Sequence, residues 1–185
     1  MIKYKGVANF HSLAEYYHAA LLEGDPLVKA YVPQPFCLGY GKKTYIPDIY
    51  YERDDKRYVG ELKPRAEFDE ALHQALDNFF RPRGINFVVI DNECVYERAI
   101  AAQNWLTVVR WLLTYPDIDT EQARLSVLQQ VLEAGELAYG QIVDLGDRTS
   151  SLAQECAVHQ LLHAGELTTD FEEQFFGLNT VLRPC

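Results

Sequence analysis

Two runs rich in Tyr and β-branched residues, Lys43 to Glu52 and Arg57 to Lys63, flank the polar tetrapeptide Arg53-Asp54-Asp55-Lys56. That pattern predicts a β-hairpin. A tight turn with Asp54-Asp55 at its tip pairs Arg53 with Lys56. Counted outward in the same register, Asp48 faces Glu61, with Cβ atoms roughly 5 Å apart. Lys63, two residues beyond Glu61, points to the same face. A fold built on this hairpin must therefore accommodate two carboxylates and an ammonium group side by side.

The flanking segments predict a mixed α/β arrangement. Ser12 to Glu23 reads as a helix, with Ser12 as N-cap and Glu15 completing a capping box, and Gly24-Asp25-Pro26 stops it. Residues 30–39 read as extended, with Pro33 and Pro35 confining part of the run to a sheet edge or loop. Ala66 to Phe80 carries Phe68, Ala71, Leu72, Ala75, Leu76, Phe79 and Phe80 on one helical face, and Arg81-Pro82-Arg83-Gly84 ends it. The apolar run Ile85 to Ile90 suits a strand buried on both faces. A long helix over Glu97 to Leu113 follows and ends before Pro116. From Thr120 the pattern becomes helical: Thr120 to Ala134 closed by Gly135, a short helix over Tyr139 to Leu145, and Ser150 to His163 closed by Gly165. Two short extended runs, Glu166 to Thr169 and Asn179 to Leu182, close the chain as a hairpin. Three helices and a hairpin in this order suggest a winged helix.

Charge separates the two halves. The 185-residue chain has a net charge of −10, and its first 92 residues carry 12 Lys and Arg against 13 Asp and Glu, whereas the rest carry 5 against 14. Such a chain is not a simple DNA-coating protein. The 48% apolar content excludes a disordered chain. No apolar run approaches the roughly 20 residues of a membrane helix, and the first ten residues lack the pattern of a signal peptide. Cys37, Cys94, Cys156 and Cys185 are scattered without a CxxC pair, the usage expected of reduced thiols in a cytoplasmic protein.

Facing carboxylates repel across a sheet. On the predicted register Ile46, Tyr50 and Val59 share their face, so it is not simply solvated. A divalent cation resolves the conflict, because Mg²⁺ takes oxygen ligands, keeps several waters and uses one or two carboxylates with a phosphate. In that setting Lys63 would orient or deprotonate a water, or offset charge on a phosphorane-like transition state. The alternative is a hairpin face in water with an Asp–Lys cross-strand pair.

Pro47-Asp48 followed by Glu61-Leu62-Lys63 is the PD-(D/E)xK nuclease signature. Its surroundings, Ser12-Leu-Ala-Glu15, Glu23-Gly-Asp-Pro26 with Val28, Gln34-Pro35 and Thr44-Tyr-Ile-Pro-Asp48, resemble the N-terminal domain of the TnsA family, the endonuclease subunit of heteromeric transposases. The Asn86-Phe-Val-Val strand and the Arg98 … Asn104-Trp105-Leu106 helix are similar too, so that the resemblance covers about residues 10–115. It implies a restriction-endonuclease-like mixed sheet flanked by helices over 1–115, followed by an acidic winged-helix-like domain over 116–185. It implies Glu15, Asp48 and Glu61 as ligands of Mg²⁺, with Mn²⁺ substituting, and Lys63 as the catalytic lysine. The implied activity is hydrolysis of phosphodiester bonds at the 5′ ends of a mobile element, with a TnsB-like transposase subunit and a TnsC-like ATPase regulator as partners. The remaining readings are a phage or defence nuclease on the same core and a non-catalytic adaptor. Glu15 by itself is a capping-box residue; only the resemblance makes it a ligand.

Lys42, Lys43, Arg65, Arg81 and Arg83 flank the proposed site in sequence, where basic side chains contact phosphates and set register on DNA. Gln34 is either a strand-positioning group behind the ligands or a plain loop amide. His159 and His163, at i, i+4, read as an ordinary helix surface. The predicted third helix of the C-terminal part, Ser150 to His163, contains no Lys or Arg. A groove-reading helix requires such groups, so this part is expected to bind protein.

Overall fold

A computed structural model describes residues 1–40, 43–144 and 146–185. The chain divides into two compact units. The first holds Met1, Lys3–Leu22 and Leu27–Arg98, and the second Ile2, Glu23–Pro26 and Ala99–Cys185. This division groups residues 99–115 with the second unit, whereas the sequence grouped them with the first.

In the first unit, helix α1 (Leu13–Gly24) is followed by strand β1 (Val28–Pro33), a small pair β2 (Leu38–Tyr40) and β3 (Lys43–Tyr45), and the hairpin β4 (Ile49–Arg53) and β5 (Lys56–Lys63). Helix α2 (Glu70–Phe80) then crosses to β6 (Ile85–Asp91), and α3 (Asn92–Glu97) closes the unit. The sheet order is β1-β4-β5-β6, antiparallel except for the parallel pair β5–β6. It is a mixed sheet flanked by helices. Ala14, Ala19 and Leu22 of α1 pack on one face with Tyr31, Ile49 and Leu62. Leu76 and Phe80 of α2 pack on the other with Val59 and Phe87.

The hairpin register is the predicted one: Arg53 pairs with Lys56, Tyr50 with Val59 and Ile49 with Gly60. Asp54 and Asp55 both have positive φ, 50° and 58°, the conformation of a tight turn whose twist matches its strands. The run from Lys43 is not continuous, however. It breaks at residues 46–48, where Pro47 has no N–H to give, and β3 pairs with β2 instead of extending β4. Gly60 packs tightly: a Cβ there would meet Ile49 and Ile90 at 3.0 Å.

Other expectations shift for identifiable reasons. Helix α2 starts at Glu70 rather than Ala66, because Asp69 caps it by accepting from the Leu72 N–H at 2.7 Å. The apolar β6 is an edge strand, mostly half-buried, and the strand buried at the centre is β5. The helix expected over 97–113 is present as Ala99–Thr114, starting after Arg98, and the short α3 precedes it. Pro33 does lie on an edge strand, β1.

The second unit contains α4 (Ala99–Thr114), α5 (Glu121–Ala134), β7 (Leu137–Ala138), α6 (Tyr139–Ile142), α7 (Arg148–Ala164), β8 (Leu167–Thr168) and β9 (Val181–Pro184), with strand order β7-β9-β8. Gly135 and Gly165 end their helices at positive φ, 76° and 72°, which glycine adopts without steric cost. Helix α7 starts at Arg148, two residues before the expected Ser150. It is a core helix, contrary to the surface helix expected around His159 and His163. His159 is fully buried, stacked on Trp111 at 5.0 Å and edge-on to Phe176. His163 Nε2 lies 3.1 Å from Glu23 Oε2, a fully buried carboxylate that also accepts from the Ile2 N–H at 2.9 Å. Leu145, the expected end of the short helix, lies outside the described residues.

Candidate active site

Strand β5 carries Glu61 and Lys63 on the same side as Val59, and Leu62 on the α1 side. Opposite β5, β4 stops at Ile49, so regular pairing ends one residue short of the Asp48–Glu61 pair expected from the register. With Pro47 next in line, the Leu62 N–H loses its ladder partner. The Asp48 carboxylate replaces it, accepting from Leu62 N at 2.8 Å through Oδ2. The strand break thus turns Asp48 toward β5.

Glu61 is 5% exposed. Its Oε1 lies 2.7 Å from Lys63 Nζ, and its Oε2 accepts from the Tyr45 hydroxyl at 2.6 Å. Burial of the Tyr45 phenol, with its bond to Glu61, pushes it well above the ordinary tyrosine range. The Asp48 carboxyl is raised from 3.8 to about 6, chiefly by burial, with the charges of Glu61 and Glu15 adding and the Leu62 N–H and Lys63 opposing. Burial pulls Lys63 down, but the hydrogen bond and charge of Glu61, with Asp48 and Glu15, outweigh it and hold the ammonium above its usual value. Asp48, Glu61, Lys63 and Glu15 therefore form one electrostatic cluster.

Glu15 enters from α1, on the other side of the sheet. Its oxygens are engaged at the helix start: Oε1 accepts from Ser12 Oγ at 2.8 Å and Oε2 from the His11 N–H at 3.1 Å. Ser12 Oγ in turn accepts from Glu15 N at 3.2 Å. Glu15 is thus a capping residue whose charge also bears on the cluster. Among the described residues no three acidic, imidazole or thiol side chains gather as a ready metal cluster. The donor set of Asp48 and Glu61 is oxygen-only, anionic and largely buried. That set suits a hard divalent cation completed by water and phosphate oxygens.

Gln34 ties two parts together. Its backbone N–H donates to Asp48 O at 2.9 Å, and its side-chain amide lies 2.7 Å from His11 Nδ1. It has φ 46°, a left-handed conformation that is strained for a side-chain-bearing residue. Arg65, also at positive φ, lies two residues beyond Lys63 and is exposed, its N–H donating to Glu93. Arg81 and Arg83 lie at the other end of the sheet. Ile85, just after them, pairs with Arg57, six residues before Lys63, which puts them about 20 Å along the strand from the cluster. They are not beside it: Arg81 pairs with Asp77, and Arg83 lies over the Phe79 ring at 4.0 Å. Lys43 opens β3, and Lys42 lies outside the described residues.

The sequence reading missed Tyr45 and His11. Tyr45 stands in the Thr44-Tyr-Ile-Pro-Asp48 stretch, and its alignment with Glu61 follows from the strand break at Pro47. His11 reaches Glu15 through its backbone N–H and Gln34 through its ring, contacts that no sequence spacing reveals. The four cysteines are free; Cys37, Cys94 and Cys185 are exposed and Cys156 is buried. Among the described residues no helix is long and apolar enough to cross a membrane. No family model matches the sequence, and a search of curated proteins found no match.

Proposed function

We propose that the first unit is a metal-dependent DNA endonuclease on a restriction-endonuclease-like core, and that the chain acts as the endonuclease subunit of a heteromeric, TnsA-like transposase. The observation that carries the proposal is the convergence of Asp48, Glu61 and Lys63 where β4 ends. Two acids and an ammonium packed this closely, with the Asp48 carboxyl raised to about 6, are costly for a fold that has no use for them. Asp48 and Glu61 would hold Mg²⁺ or Mn²⁺. The bound cation would polarise the scissile phosphodiester and offset the charge developing on it. Lys63, beside Glu61, would orient the attacking water or offset charge on the phosphoryl oxygens. Arg65, two residues beyond Lys63 and exposed, would contact a phosphate. Glu15 would lend negative charge and hold the start of α1.

The order α5-β7-α6-α7-β8-β9 supports a winged-helix-like reading of the second unit. In such a domain α7 takes the position of the groove-reading helix. Here Ser151, Glu155 to His159, Leu161 and Leu162 are buried, which leaves α7 little surface to present to DNA. This burial and the acidic balance support a protein partner, of which the TnsC-like regulator is the one the resemblance implies. A TnsB-like subunit would cut the other strand.

Two measurements test the nuclease reading. Calorimetric titration with Mn²⁺ should show binding that is lost in Asp48→Asn and weakened in Glu61→Gln, which keeps one ligating oxygen. Plasmid nicking in Mn²⁺ should be lost in Asp48→Ala and Lys63→Ala. Nicking by Asp48→Ala at the wild-type rate would remove the mechanism, and a non-catalytic adaptor would show no carboxylate-dependent metal binding.

A further inference from the structure

We infer that Tyr45 is a positioning residue for Glu61, holding that carboxylate in the orientation a divalent cation needs; the inference rests on the reading of Asp48 and Glu61 as metal ligands. The bend Tyr45-Ile46-Pro47-Asp48 delivers side chains from its two ends to consecutive positions of β5. Tyr45 reaches the Glu61 carboxylate at 2.6 Å and Asp48 reaches the Leu62 N–H at 2.8 Å. The two acids are thus registered against each other through one short segment and one strand.

The hydroxyl is fixed by its ring. Tyr45 packs against the cluster of Val59, Leu76, Phe80 and Phe87 and pairs with Leu38 across β2–β3. An apolar cavity of about 180 Å³, lined by Leu38, Gly39, Ala75, Leu76 and Phe79, adjoins the ring. Those side chains offer the hydroxyl no competing polar partner. It therefore points at Glu61, and the cost of ordering that carboxylate is met before a cation arrives.

The two Glu61 oxygens then have separate roles. Lys63 holds Oε1 and Tyr45 holds Oε2. A carboxylate oxygen accepts more than one bond, so Oε2 keeps a lone pair for the cation while it accepts from Tyr45. Lys63 can leave Oε1 for a water or a phosphate without freeing Glu61 to rotate, because Tyr45 retains it. An ammonium alone would leave the carboxylate unanchored at the moment the lysine acts.

The test is a Mn²⁺ titration of the full chain by calorimetry in five forms: wild type, Asp48→Asn, Tyr45→Phe, Glu61→Gln and the Tyr45→Phe/Glu61→Gln double variant. Tyr45→Phe should weaken Mn²⁺ binding by about 10-fold, the usual cost of losing a group that orients a ligand. Far-ultraviolet circular dichroism and metal-free melting confirm that each variant is folded. In the Glu61→Gln background the Tyr45→Phe change should have no further effect, because Tyr45 acts through Glu61. A general loosening of the fold would instead weaken binding in both backgrounds. Equal affinity in wild type and Tyr45→Phe, or a further loss in the double variant, overturns the inference while leaving the metal site standing. A wild type whose Mn²⁺ binding is insensitive to Asp48→Asn overturns the metal-site reading itself, and the inference with it.

Discussion

Replacing Asp48 by Asn in metal-free buffer should stabilise the protein at neutral pH. The Asp48 carboxyl lies at about 6 in the fold against an ordinary 3.8, chiefly through burial. A group whose folded value is raised contributes stability that is full below pH 3.8 and is lost as the pH rises through about 6. That interval corresponds to about 3 kcal/mol, and solvent reaching a half-buried group screens it to about 1–2 kcal/mol. Asn keeps an oxygen to accept from Leu62 N, the bond Asp48 makes at 2.8 Å, and removes the charge. At pH 7.5 in EDTA, Asp48→Asn should therefore melt about 2–8 °C above wild type. At pH 3.5, where the carboxyl is mostly neutral in the folded and the unfolded chain alike, the difference should nearly vanish. Saturating Mg²⁺ should reverse the order, because about 2.7 kcal/mol of binding energy at a hundredfold excess over Kd reaches only the wild type. Scanning calorimetry under the three conditions reads all of this. An Asp48→Asn protein less stable than wild type at pH 7.5 in EDTA would refute the reasoning.

Lys63→Met removes the cation 2.7 Å from a Glu61 that is 5% exposed, and should cost about 1–3 kcal/mol by urea denaturation while abolishing Mn²⁺-dependent nicking. His18 is lowered from 6.5 to about 4 by burial, with Arg98 adding. Its neutral form therefore supports the fold above pH 6.5, and that support is lost as the pH falls through about 4. His18→Phe, keeping a ring against Tyr51, should flatten the fall in melting temperature between pH 6.5 and 4. Gly24→Ala would drive a Cβ into the Trp105 indole and should cost about 1–3 kcal/mol, read as a lower urea midpoint; Gly39→Ala, with open space around it, is the matched control.

Local signals settled most of the elements, and they did so without any partner surface. The Asp54-Asp55 turn, the Ser12 cap, and the Gly135 and Gly165 stops are each written in one or two residues whose preferred conformations the fold adopts. The hairpin register follows from its turn alone, because strand pairing is determined once the tip is. The proposed chemistry was legible for the same reason: the register sets Asp48, Glu61 and Lys63 near one another before any helix is placed. Tertiary structure decided what depends on competition between segments. Whether residues 43–52 run as one strand depended on β2 being present to capture β3, and that capture brings Tyr45 onto Glu61. Which strand is central depended on the crossover through α2, which sends the more apolar β6 to the edge. Whether α7 faces water depended on α4 and α5 packing over it, so that a helix with polar spacing holds His159 among aromatic rings. Conformational preference is a property of neighbours in the chain, and burial is a property of neighbours in space; only the first of these is present in a sequence.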